Sequence, residues 1–186
     1  MAWFTHLSFA LAIAAVIGSQ TVASAAELKE GDDAPSFELQ GSDGKTYKLS
    51  DFKGKKAVVV AWFPRAFTGG CTKECKSMRE HGKAIKEFDV AYFTASCDTV
   101  EGEKGNAAFA KSLDLDYPIL CDPERKAAKE YGLVDNDKGN AKRFTFYISK
   151  DGKILAIDKM VKTEAHGVDI AAKLKELGVP KAEKKI

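Results

Sequence analysis

Ala57-Val58-Val59-Val60-Ala61-Trp62-Phe63-Pro64 is the stretch on which the architecture turns. Its apolar run is β-branched at the centre and has no polar alternation, the pattern of a strand whose two faces are both covered. Pro64 ends that run, and a loop carrying Gly69 and Gly70 follows it. A helix is predicted from near Thr68 to about Phe88, because Cys71, Cys75, Met78, Gly82 and Ile85 recur there at steps of four and three. That spacing turns both cysteines toward the interior.

Upstream, Phe37-Glu38-Leu39-Gln40 and Thr46-Tyr47-Lys48-Leu49 flank Gly41-Ser42-Asp43-Gly44, the composition of an N-terminal β-hairpin. Downstream, strands predicted at Val90–Ser96 and Tyr117–Cys121 alternate with helices at Glu103–Leu113 and Glu124–Tyr131. A second hairpin, Phe144–Ser149 with Ile154–Met160, turns at Asp151-Gly152. The last helix runs from about Ala165 to Leu177 and is closed by Gly178. The expected class is α/β, with a central mixed β-sheet flanked by helices as in thioredoxin-like folds. The Cys71 loop then sits at the carboxyl end of a central strand, the edge at which open α/β sheets place their chemistry.

The chain has 186 residues, 45% hydrophobic and 30% charged, enough for one domain with its own core. A net charge of +2, spread without a basic stripe, argues against nucleic acid as a partner. Residues 1–25 contain no Lys, Arg, Asp or Glu, and an apolar run from Leu7 to Ile17 leads to Ala23-Ser24-Ala25. We read this as a signal peptide cleaved after Ala25 rather than a retained anchor, because the apolar run is short for a membrane span. The remainder divides into a domain at 26–180 and a solvated Lys-rich tail at 181–186. Export to a bacterial periplasm is the expectation, with secretion or an organelle lumen as alternatives, and no stable membrane association follows cleavage. The four cysteines, Cys71, Cys75, Cys97 and Cys121, are too few for a disulfide scaffold in a domain this size, which points to redox cycling.

A thiol attacks as its thiolate, so a working cysteine needs surroundings that favour negative charge. Cys71 falls in the first helical turn, where unpaired backbone N–H groups and the positive end of the helix dipole supply part of that. The dipole lowers a thiol pKa by about one unit or less, so a nearby cation is needed as well.

At this point the sequence resembles the peroxiredoxins. Their motif Pro-x-x-x-Thr-x-x-Cys is present as Pro64-Arg65-Ala66-Phe67-Thr68-Gly69-Gly70-Cys71. The segment Cys71-Thr72-Lys73-Glu74-Cys75 looks like the bacterioferritin-comigratory, or peroxiredoxin Q, branch, and the likeness extends from about Ala34 to Leu177. The resemblance implies a thioredoxin-like fold and a thiol peroxidase with Cys71 as the sulfur nucleophile. It also supplies the cation, because an Arg at the start of a later strand completes the family's site and Arg143 opens Arg143-Phe144-Thr145-Phe146-Tyr147-Ile148. The thiolate would attack one peroxide oxygen, while Thr68 Oγ, the Cys71 N–H and Arg143 donate to the charge developing on the other. Thr68 has the further option of an ordinary helix cap. Pro64 would shield the sulfur, and Cys71 would become a sulfenic acid.

Cys75 is the expected resolving thiol, with a buried structural thiol as its alternative. Residues four apart on an intact helix hold their Cβ atoms about 5–6 Å apart, beyond the roughly 3.5–4.5 Å of a disulfide, so the first turns must unwind. The spacing also departs from the branch's more familiar one, in which five positions separate the two cysteines. Cys97 and Cys121 end neighbouring predicted strands and could form a second disulfide, deliver the resolving thiol or simply fill space. His6, His81 and His166 are scattered without ligand spacing, and no phosphate loop or dinucleotide fingerprint appears, so neither metal nor cofactor is expected. The implied partners are a hydroperoxide and a thioredoxin-like or small-thiol reductant, and the branch implies a monomer rather than a homodimer. An exported thiol–disulfide oxidoreductase would carry Trp-Cys-x-x-Cys at this helix and a proline before the later strand, and both are missing. A catalytically idle binding module would not need Pro64, Thr68, Cys71 and Arg143 together.

Overall fold

The computed structural model describes residues 27–183. The first hairpin is β1 (Glu38–Gly41) and β2 (Thr46–Lys48), and the apolar run becomes β3 (Ala57–Trp62), with all six of its residues buried. Next come α1 (Gly69–Glu80), α2 (Gly82–Ile85) and β4 (Val90–Ser96). They are followed by α3 (Asn106–Ser112), β5 (Ile119–Cys121) and α4 (Lys126–Glu130). The closing hairpin is β6 (Thr145–Ile148) and β7 (Ile154–Asp158), and α5 (His166–Glu176) ends the series. One mixed sheet holds the strands in the order β2-β1-β5-β4-β3-β6-β7. β3 is parallel to β4 on one side and antiparallel to β6 on the other, which accounts for its unbroken apolarity.

Side chains alternate between the two faces of this sheet. Val58, Val60 and Trp62 of β3 join Ala127, Ala128 and Tyr131 at α4 on one face. Val59 and Ala61 meet Met78, Ile85, Ile170 and Leu174 of α1, α2 and α5 on the other. Each fully buried Ile, Leu or Met contributes about 1.5–3 kcal/mol, so the α1 stripe read from the sequence is what docks that helix. Gly178, in the left-handed region at φ 69°, closes α5, with Val179 N donating to Leu174 O at 3.0 Å.

The single helix expected from Thr68 to Phe88 is interrupted at His81. The His81 ring nitrogen Nδ1 lies 2.9 Å from the Ser77 carbonyl, which also receives the His81 N–H, and Gly82 follows with its low helix propensity. The break keeps the inward stripe in register, and Met78 and Ile85 are both fully buried. The helix expected to open at Glu103 begins only at Asn106, because Gly102 and Gly105 form a turn ahead of it. The first residues of the tail expected at 181–186 make contacts with the domain. Lys181 bridges to Phe88, Ala182 N donates to Glu87 O at 2.9 Å, and the Lys181 ammonium lies 4.0 Å from the Phe88 ring centroid. The proposed signal segment at 1–25 lies outside the described residues.

α5 is pressed onto α1 at Gly167, where an added Cβ would lie 2.3 Å from the Ser77 carbonyl oxygen. Gly167→Ala is therefore expected to lower stability by about 1–3 kcal/mol, seen as a lower urea midpoint with an unchanged slope, because backbone rather than a flexible side chain must give way.

Candidate active site

Topology brings the site residues together. β6 runs antiparallel to β3 with Ala61 opposite Thr145, so the residues just before Thr145 lie beyond the carboxyl end of β3, where the Cys71 loop begins. Trp62 N donates to Phe144 O at 2.8 Å and continues this pairing by one step. Arg143 is thereby carried to the N-terminus of α1, and its NH2 lies 3.3 Å from Cys71 Sγ. The guanidinium sets a positive charge beside the sulfur, and Cys71 occupies the third position of the helix, within the reach of its N-terminal dipole. Cys71 is nearly closed off from solvent, at 1% exposure.

Arg143 has a second anchor. Its NH1 pairs with Glu74 Oε2, a carboxylate fully buried on the inward face of α1. Glu74 Oε1 lies 3.0 Å from His166 Nδ1, and His166 Nε2 lies 2.9 Å from Thr145 Oγ1. Burial pushes the His166 imidazole down to about 4, so the ring is neutral at physiological pH. Glu74, His166 and Thr145 escaped the sequence reading. A charge on an otherwise apolar stripe is a signal for Glu74, whereas a solitary histidine at a helix start gives none for His166.

The loop between β3 and α1 is held from the other side. Ala66 N donates to Asp98 Oδ2 at 2.8 Å, Ser96 Oγ donates to the same oxygen at 2.9 Å, and Asn106 Nδ2 donates to Ser96 Oγ at 2.9 Å. Phe67 turns the chain with φ 60°, a conformation that costs a bulky residue on the order of 1–3 kcal/mol, and its ring rests 4.9 Å from that of Phe109. Thr68 is the N-cap residue by backbone conformation, yet its hydroxyl donates to Arg65 O at 2.9 Å and makes no cap bond to the helix. The ordinary capping option for Thr68 is thereby excluded. Pro64 sits half-buried at the start of this loop. Gly70 lies close above the guanidinium, since a Cβ built there would stand 3.4 Å from Arg143 NH2.

All four cysteines are reduced and buried. Cys75 packs beside Cys71 in a cluster with Phe63, Phe109 and Ile119, and its carbonyl accepts from Tyr117 Oη at 2.9 Å. Burial pushes its thiol up to about 12. Ser96 lies opposite Cys121 in the β4–β5 ladder, so Cys97, one residue further on, projects from the opposite face of the sheet. A Cys97–Cys121 disulfide does not fit this arrangement. Cys121 Sγ accepts from Asn106 Nδ2 at 3.3 Å within the loop-anchoring network, and Cys97 packs with Ala95 and Leu120 on the far face. Among the described residues no group of three or more His, Cys, Asp or Glu is arranged to hold a metal ion. None of their helices is long and apolar enough to cross a membrane.

The sequence profile of the AhpC/TSA family matches residues 30–157. The chain is 31% identical over 153 residues to Peroxiredoxin Bcp of Bacillus subtilis, covering 79% of this chain and 95% of that protein. It is 31% identical over 155 residues to Peroxiredoxin Bcp of Escherichia coli, covering 80% and 97%. Among solved structures, Peroxidoxin BcpB from Mycobacterium tuberculosis superposes with a TM-score of 0.73 at 32% identity, covering 81% of this chain and 98% of that one. The chain belongs to the AhpC/TSA family. Within it, the chain is a thiol-dependent peroxidase on the thioredoxin-like fold, and neither the oxidoreductase nor the idle-module alternative is favoured.

Burial raises the thiols of Cys97 and Cys121 to about 11, so both stay protonated until the pH approaches that value. At pH 8 their thiolate fraction is about 0.1%. Timed iodoacetamide labelling of the reduced protein at pH 8, followed by peptide mass spectrometry, is expected to modify Cys71 first and to leave Cys75, Cys97 and Cys121 largely untouched.

Proposed function

We propose that Cys71 is the peroxidatic cysteine and that Arg143, Thr68 and Pro64 form its site. The single observation carrying this reading is the guanidinium NH2 of Arg143 at 3.3 Å from Cys71 Sγ, in the first turn of a helix at the carboxyl edge of β3. The thiolate attacks the nearer oxygen of ROOH and the O–O bond breaks. The departing alkoxide leaves as ROH after taking a proton, and Cys71 becomes Cys–SOH. Arg143 and the N–H groups of the first turn of α1 stabilise the departing charge. Thr68 joins them once its hydroxyl swings from the Arg65 carbonyl into the site. The backbone around Pro64 keeps bulk water from the sulfur.

Resolution falls to Cys75. Its thiol attacks the sulfenic sulfur, water leaves, and a Cys71–Cys75 disulfide forms, which an external thioredoxin-like or small-thiol reductant then reopens. The first turns of α1 must unwind for this, since both cysteines now sit on one intact helix. In doing so they release Glu74 from Arg143 and Cys75 from Tyr117. The opposite-face position of Cys97 and the bonding of Cys121 to Asn106 favour Cys75 over either of them. Hydrogen peroxide and organic hydroperoxides are the substrate class.

Export to the periplasm completes the reading. It is supported by the uncharged leader ending in Ala23-Ser24-Ala25, which lies ahead of the segment matched by the family profile. A monomeric mature enzyme without stable membrane association is the form proposed, as the resemblance to the peroxiredoxin Q branch implies.

Stoichiometric hydrogen peroxide followed by peptide mapping without reductant tests the residue roles. A Cys71–Cys75 linked peptide is the expected product. A link from Cys71 to Cys97 or Cys121 would remove Cys75 from its role, and first oxidation at another cysteine would overturn the assignment of Cys71.

A further inference from the structure

The polar chain behind Arg143 continues past the carboxylate. Glu74, His166 and Thr145 are each 0% exposed. Glu74 has two oxygens: Oε2 is taken by Arg143 NH1, and Oε1 faces His166 Nδ1 at 3.0 Å. That second contact falls outside hydrogen-bond geometry, and neither atom has a hydrogen-bond partner elsewhere, so each has only the other within reach. A neutral imidazole with its proton on Nδ1 presents that N–H toward Oε1 and leaves Nε2 to accept from the Thr145 hydroxyl at 2.9 Å. Thr145 is buried within β6 between β3 and β7, so this end of the relay is tied to the centre of the sheet.

The consequence concerns what Arg143 is free to do. A carboxylate and a guanidinium prefer a two-pronged pairing, two parallel N–H···O bonds from NH1 and NH2 to the two oxygens. Here the pairing is one-pronged, because Oε1 faces the imidazole, and Arg143 NH2 points to Cys71 Sγ instead. We propose that His166 is a positioning residue that occupies Glu74 Oε1 and thereby denies Glu74 its second bond to Arg143, leaving NH2 for the sulfur. The proposal rests on the reading that Arg143 activates Cys71. The charged groups around the ring are Glu74 from α1, Arg143 from the segment before β6, Asp158 from the end of β7 and Asp169 from α5 itself. None of these other than Glu74 makes a direct contact with Nδ1. α5 carries His166 to this point by the close seating of Gly167 on Ser77, whose Oγ accepts from Gly167 N at 3.1 Å.

The test compares His166→Leu, which fills the space without a donor, with His166→Asn, whose amide nitrogen reaches the place of Nδ1. Arg143→Gln serves as the reference for a lost guanidinium. Each reduced, folded protein is assayed for the rate of Cys71 alkylation by iodoacetamide at pH 7, with folding followed by thermal melting. His166→Leu is expected to slow alkylation about tenfold or more, toward the rate of Arg143→Gln, the scale set by one hydrogen bond to a charged group. His166→Asn is expected to restore the rate to within about threefold of the native one, a rescue that recovered packing alone would not produce. Should His166→Leu fail to fold, Thr145→Val removes only the hydroxyl that fixes Nε2 and is expected to slow alkylation several-fold. A folded His166→Leu, or in its place Thr145→Val, with the native rate overturns the positioning role, provided Arg143→Gln slows the reaction. If Arg143→Gln itself reacts at the native rate, the reading of Arg143 as the activating cation fails instead.

Discussion

Arg143 holds a sulfur with one nitrogen and a buried carboxylate with the other, and the rest of the site is arranged around that double contact. A thiol near the N-terminus of a helix gains only part of its anionic character from backbone dipoles, so in the proposed function the cation is what makes Cys71 a nucleophile rather than a small apolar filler. Cys75 illustrates the second fate. It shares the helix and the same inward face, meets no guanidinium, and burial drives its thiol up to about 12. One helical turn separates the two behaviours.

The sheet is what makes the contact reachable. Arg143 and Cys71 are far apart in sequence, and only the antiparallel placement of β6 beside β3 puts the start of one against the end of the other. A parallel β6 would have sent Arg143 to the opposite edge. The loop carrying Thr68 is then pinned by Asp98 beyond β4, so both neighbours of β3 contribute to one site. The same rigidity sets up the next step, because a disulfide between Cys71 and Cys75 cannot close until α1 loosens and the Arg143–Glu74 pair parts. With Cys75 as the proposed resolving thiol, peroxide reduction and resolution call for two different conformations of the same twelve-residue helix.

Much of this was legible in the chain itself. The run Ala57–Phe63 announced a doubly covered strand, the four-three spacing of Cys71, Cys75, Met78, Gly82 and Ile85 announced the docking face of α1, and Arg143 stood just ahead of a later strand, where the resemblance implies an Arg. The helix break at His81 was not legible, because it arises from the His81 ring bonding back to Ser77 at the point where Gly167 presses in from a distant helix. Nor could strand-end positions alone separate Cys97 from Cys121. Their opposite faces depend on the register that sets Ser96 against Cys121, and register is a property of the assembled sheet. His166 lacked any local pattern, and its meaning appears only once Glu74 and Thr145 surround it.

The account is tested most directly by the second-order rate of Cys71 oxidation by hydrogen peroxide, measured by stopped flow on the reduced protein and on Arg143→Gln. A loss of about a hundredfold or more, with the fold and the thermal melt retained, is what a guanidinium at the sulfur requires. A folded Arg143→Gln that reacts at the native rate would contradict it.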